Sequence, residues 1–193
     1  MTLSIHRLSV PVFTRMLGNL ALFVERGCAA VEASGMAPAA LMEARLAPDM
    51  FGLARQVQIA ADGARGAAAR LAGQAPPSPE APRFAVFNRG DERGFDPMPA
   101  DAVALAAYAR EAARDLEALS PDLFAGAEGR RIVVTMHGRS RHFEALPFLI
   151  DYALPNFYFH VAMAYAILRH LGVPLGKPDY EGPPVYAGGD GEA

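Results

Sequence analysis

The chain has one cysteine, Cys28, in 193 residues. A single thiol excludes an intramolecular disulfide, a CxxC redox pair and every zinc-finger ligand set. Only Arg26 supplies a cation near Cys28, so the thiol reads as a small buried hydrophobe in a helix and not as a reactive group. Basic charge is also thin. Eighteen Lys and Arg face 21 Asp and Glu for a net charge of −3, and no Lys/Arg run exceeds two residues. Phosphate backbones and anionic membrane surfaces both require a basic face. Neither nucleic acid nor a membrane is therefore an expected partner. There is no GxGxxG or GxxxxGK[ST] loop, so dinucleotide and P-loop chemistry lack their usual signatures. No internal repeat is visible.

Two apolar stretches need weighing against the membrane. Met16 to Val24 follows Arg7 and Arg15 as a signal peptide would, but Asn19 interrupts it, Glu25 and Arg26 follow directly, and no small-x-small cleavage site comes next. It reads as a core helix, and the cytoplasm is the expected location. Ala145 to Gly172 is long enough to span a bilayer, but it contains Pro147, Asp151, Pro155, Asn156 and His160 and has no flanking basic cluster. A carboxylate inside lipid is costly, so this too reads as a buried helix.

What is present is a globular composition, 52% hydrophobic and 20% charged, in a length that suits one domain. Four stretches have helical periodicity. After Pro11, the residues Phe13, Met16, Leu20, Phe23 and Gly27 share one face. A second helix is predicted from Pro48-Asp49, with Met50, Leu53, Val57, Ala60, Ala64 and Leu71 as its stripe and Gly73 past its end. Residues 75–99 form an irregular, proline-rich crossover, with a small hairpin or ordered loop around an Asn-Arg-Gly-Asp turn. A third helix opens at Asp101, a predicted N-cap, and carries Leu105, Ala109, Ala112, Leu116 and Leu119. Residues 131–144 alternate as a hairpin turning at His137-Gly138. The fourth helix follows. The expected fold is mainly all-α: a four-helix bundle over residues 1–182, with a long crossover after helix two, a small β-hairpin before helix four, and a disordered tail over 183–193.

The residues that could carry chemistry lie on helices two and four. Asn156, His160, Met163 and Ile167 step by four, three and four, which places His160 on the inward stripe with Asn156 one turn before it. Gln58 sits beside Val57 on helix two, with Asp62 one turn on. A neutral His160 in this setting needs a donor and an acceptor, which Asn156, Gln58 or a tyrosine such as Tyr152 or Tyr165 could supply. The same cluster could line a small-molecule pocket. His6, His137, His142 and His170 form no metal-spaced pair.

The segments RLAPDMFGLARQVQIAADGARGAAARLAG (45–73) and LPNFYFHVAMAYAILRHLGVPLGKPDYEG (154–182), with the opening SVPVFTRMLGNL, resemble a bacterial family of unknown function within the DinB/YfiT-like superfamily. The resemblance covers most of the chain but fits residues 83–98 poorly. It implies a four-helix bundle, often dimeric. Metal-binding members of that superfamily use one histidine on the second helix and an HxxxH pair on the fourth, and some transfer small thiols to electrophiles. Matching the fourth helix through its Leu-Arg-x-Leu-Gly ending puts the pair at Asn156 and His160. The second-helix histidine falls near Gln58, with Gln56 as the other option. One histidine is kept and two are replaced by amides, which are poor ligands for zinc or nickel. No cofactor is therefore expected; the alternative is a weakly held divalent metal such as zinc or nickel. Two functions follow from the resemblance. One is a homodimeric small-molecule-binding or structural protein with a degenerate metal site. The other is a transferase of small thiols to electrophiles that uses His160 in catalysis.

Overall fold

The computed structural model describes residues 4–35, 37–74, 82–84, 95–136 and 139–185. Helix α1 spans Ile5–Ser34, α2 Pro38–Glu43, α3 Leu53–Leu71 and α4 Ala102–Glu117. The strands β1 (Arg131–Met136) and β2 (Arg139–Glu144) follow. Next come α5 (Ala145–Pro147), a π-helical turn (Phe148–Ala153), α6 (Leu154–His170) and α7 (Lys177–Glu181). The four long helices α1, α3, α4 and α6 form the bundle. Helix α1 packs along α4, and α3 packs along both α6 and α4. Phe13 of α1 meets Phe157 of α6 edge to face at 4.9 Å, and both rings are fully buried.

The first helix starts earlier than its proline suggests. Ser4 caps it by accepting from the Arg7 N–H at 3.3 Å, and Pro11 lies inside the helix. Pro11 is on the exposed side, where the amide that proline lacks leaves only a carbonyl facing solvent. Helix α1 is long and apolar enough to cross a membrane by length and composition, yet 56% of its most apolar window is buried within the bundle. The second long helix, in contrast, starts later than predicted, at Leu53. Pro48–Met50 form a turn, and Gly52 brings the chain so close to α2 that a Cβ there would sit 3.0 Å from the Glu43 carbonyl oxygen. At its other end Gly73 adopts φ 73°, and the Gln74 N–H returns to the Ala69 carbonyl at 2.8 Å.

All 19 residues of α3 are buried, including Arg55, Gln56, Gln58, Asp62, Arg65 and Arg70. The helix is enclosed by α4, by α6 and by the 3₁₀ turn Pro82–Phe84, with the Arg70 guanidinium donating to the Phe84 carbonyl at 2.9 Å and to Val133 of β1 at 3.2 Å. Asp101 caps α4 as predicted, accepting from the Ala104 N–H at 2.8 Å. The hairpin register pairs Arg131 with Glu144 and Met136 with Arg139, and Ile132 and Val134 point to the core while Val133 faces out. The turn at His137-Gly138, the Asn-Arg-Gly-Asp segment of the crossover and residues 186–193 of the tail lie outside the described residues.

The fourth helical column is not one regular α-helix. Within it the Leu154 N–H donates to the Leu149 carbonyl, five residues back. Pro147 and Pro155 bracket this turn, and neither can donate to a four-residue ladder.

Candidate functional site

His160 is buried, with 8% of its surface exposed. The wide π turn sets the rotation of α6, and the ring faces α3. Its Nδ1 lies 2.7 Å from Gln56 Oε1. The Gln56 amide nitrogen donates to the Phe51 carbonyl at 3.2 Å. A carbonyl can only accept, so the amide oxygen is the end that faces His160. That oxygen also only accepts, so Nδ1 carries the ring proton and Nε2 keeps its lone pair. Burial holds the imidazole down at about 4, well below its ordinary value, because the charged form would lose its hydration. At neutral pH the ring is therefore uncharged, with an acceptor nitrogen at Nε2.

The other predicted residues distribute differently from the expected trio. Gln58 does not pair with His160. It lies on another face of α3, accepts from the Arg55 guanidinium and donates to the Asp96 carbonyl at 3.1 Å. Of the two candidate positions on that helix, Gln56 is the one beside the histidine. Asn156 stays on its own helix and donates to the Tyr152 carbonyl at 2.7 Å, a bond made where the π turn leaves backbone acceptors out of step. The Tyr152 ring packs with Phe143 at 5.1 Å and Phe148 at 5.9 Å. Tyr165 packs against Phe23 and Tyr180, at 5.7 Å from each.

Asp62 turns toward α4 and heads a second polar group. Its Oδ1 accepts from the Tyr108 hydroxyl at 2.5 Å and lies 3.4 Å from Arg65 Nη1. Its Oδ2 is buried and finds no hydrogen-bond partner among the described residues. Desolvation pushes the Asp62 carboxyl up to about 6, against the opposing pull of Tyr108 and Arg65. Burial and the neighbouring carboxylate likewise raise the Tyr108 hydroxyl. Arg65 reaches Asp115 through Nε at 2.7 Å, and Arg83 reaches Glu111 at 2.6 Å. The Arg65 guanidinium also lies 4.9 Å from the Tyr108 ring centre. Arg65 and Tyr108 escaped the sequence reading. The three-residue spacing of Asp62 and Arg65 was the one available signal, since the meeting with Tyr108 joins positions 46 residues apart. Cys28 is half-buried and its thiol is pushed up by burial, which fits an inert side chain.

A family profile for a domain of unknown function, DUF1993, matches residues 5–181. The chain belongs to the DUF1993 family. Its fold is that of the DinB-like bundles. The crystal structure of a DinB family member from Shewanella denitrificans superposes with a TM-score of 0.76 at 33% identity, covering 95% of each chain. No curated protein matches the chain. Among the described residues of this DUF1993 protein, no group of three His, Cys, Asp or Glu side chains is placed to hold a metal ion. Where the resemblance implies three histidines stand Gln58 or Gln56, Asn156 and His160. Two neutral amides, each donating to a backbone carbonyl, leave His160 as the one good ligand type in that set, which does not fit a zinc or nickel site.

Proposed function

We propose that this DUF1993 protein is a metal-free DinB-like bundle that binds a small organic molecule beside His160 and acts as a homodimer in the cytoplasm. The observation that carries the reading is the hydrogen bond from His160 to Gln56. It fills the place of a metal ligand with a fixed amide and turns a neutral imidazole so that Nε2 accepts. No group of three His, Cys, Asp or Glu among the described residues stands ready to join that ring around a metal, which supports an organic ligand over a cation. Protein purified without a histidine tag is expected to carry well under one equivalent of zinc or nickel by elemental analysis, and added zinc should leave its melting temperature unchanged. Stoichiometric metal would overturn the metal-free reading. It would also favour the second reading, a transferase of small thiols to electrophiles, which draws on the same Nε2 lone pair as a base.

The dimer rests on the family resemblance and on the outer side of the fourth helical column. Leu146 and Ile150, one turn apart, are 46% and 45% exposed there. Large apolar side chains grouped on one helix face favour association. Light scattering at micromolar concentration is expected to give twice the 20.5 kDa chain mass, and a monomeric mass would remove the dimer.

A further inference from the structure

A second cavity lies away from His160. Tyr158 is two residues from His160 on α6, about 200° around the helix, so it faces the opposite side. There α6, α1 and the segment around α7 enclose a cavity of about 740 Å³. Val12, Met16 and Pro184 supply apolar wall, Arg15, Tyr158 and Tyr180 supply polar groups, and Glu181 also lines it with its carboxylate paired to Lys177. Its size suits a small organic ligand.

The cavity is built by a clasp. Arg15 Nε and Nη2 donate to the Glu181 carbonyl at 3.0 and 2.6 Å, and Nη2 also donates to the Pro183 carbonyl. One turn on, Asn19 donates to the Tyr180 carbonyl at 2.9 Å, and Arg26 pairs with Asp179 at 2.8 Å. These residues of α1 hold the segment after α6 in place. The clasp also fixes the Arg15 guanidinium, whose Nη1 amine donates to nothing among the described residues. No carboxylate among those residues lies within ion-pair distance of it. The nearest candidate by sequence, Glu181, is engaged by Lys177 at 3.2 Å. Arg15 is thus a half-buried cation satisfied only by neutral carbonyls.

Two phenols converge on the same place. Arg15 acts electrostatically on the Tyr158 hydroxyl, which in turn acts on that of Tyr180, and all three side chains line the cavity. Neither hydroxyl has a hydrogen-bond partner among the described residues. Burial raises both above the ordinary tyrosine value, so both remain protonated donors at neutral pH. A cation with no ion pair among the described residues and two phenolic donors at an apolar wall form a complement to one kind of molecule. We infer that this cavity binds a small organic carboxylate with an apolar or aromatic body, its carboxylate received by Arg15 Nη1 and the hydroxyls of Tyr158 and Tyr180.

The test is calorimetric titration of the full chain with 4-phenylbutyrate and with its neutral analogue 4-phenylbutanol. The acid should bind about tenfold more tightly than the alcohol, as expected for a charge-assisted hydrogen bond. Arg15→Gln should erase that preference. Since this change also releases the clasp, Tyr158→Phe serves as the second variant. It removes one hydroxyl, leaves Arg15 and the clasp untouched, and should weaken the acid by about threefold to tenfold with little change in the alcohol. The Met16 methyl resonance should shift with the acid in the parent protein. Equal affinity for acid and alcohol, no binding of the acid up to ~10 mM, or an unchanged acid affinity in Tyr158→Phe would overturn the assignment.

Discussion

Asp62→Asn is expected to stabilise the protein by about 2–3 kcal/mol at pH 7.5 and by almost nothing at pH 4. Asp62 is 1% exposed, and its carboxyl is raised from 3.8 to about 6 in the folded protein. The folded state therefore holds a proton that the unfolded chain has already released between these values. Asp62 favours the fold fully below pH 3.8, and that contribution is lost as pH rises through about 6. An amide cannot ionise, keeps an oxygen for the Tyr108 hydroxyl, and leaves Arg65 its bond to Asp115. Urea denaturation at the two pH values measures the effect. A destabilised variant at pH 7.5 would show that Asp62 is held ionised by Arg65 at a net gain.

His160→Ala is expected to do the reverse. At pH 7.5 it should cost about 1–3 kcal/mol, because Gln56 Oε1 loses its donor inside the core. The histidine is neutral when folded, with its ordinary value of 6.5 lowered to about 4. Between these values the unfolded chain binds a proton that the folded protein refuses. The contribution of His160 is thus present above pH 6.5 and disappears as pH falls through about 4, at about 1.4 kcal/mol per pH unit. The gap between parent and variant should close by pH 4.5. A gap that stays constant from pH 7.5 to 4.5 would mean that His160 can be protonated where it sits. The two titrations run in opposite directions over nearly the same interval. The parent protein should accordingly be almost flat in stability from pH 4 to 6 with respect to these two groups, and each variant should uncover the slope of the other.

The bundle was legible because its outer helices keep a wet side. Phe13, Met16, Leu20 and Phe23 of α1, and Leu105, Ala109, Ala112 and Leu116 of α4, are all buried where their spacing puts them. The hairpin was legible for the same reason, with Ile132 and Val134 inside and Val133 outside. Helix α3 gave a weaker reading because periodicity distinguishes two sides only when one is solvated. Every position there is buried, so phase could not choose between Gln56 and Gln58, which point about 200° apart. Asn156 went astray for a different reason. It sits one turn before His160 as counted, but its amide turns back along its own column to the Tyr152 carbonyl, a rotamer that spacing does not encode. The cluster of Asp62, Tyr108 and Arg65 depends on how α3 meets α4, which local pattern does not encode.

The enclosure of α3 also bears on how this sequence can drift over time. A helix with a solvated side can accept neutral changes at roughly half of its positions. Helix α3 offers few, since all 19 of its residues are buried. Its alanines and glycines are all buried, and Arg65 and Arg70 could become neutral only by abandoning Asp115, Phe84 and Val133. Variation among relatives should therefore concentrate in α1, α4 and the hairpin. Coordinated replacements in α3 and the residues facing it would mark the points where one member of the family took up a different ligand from another.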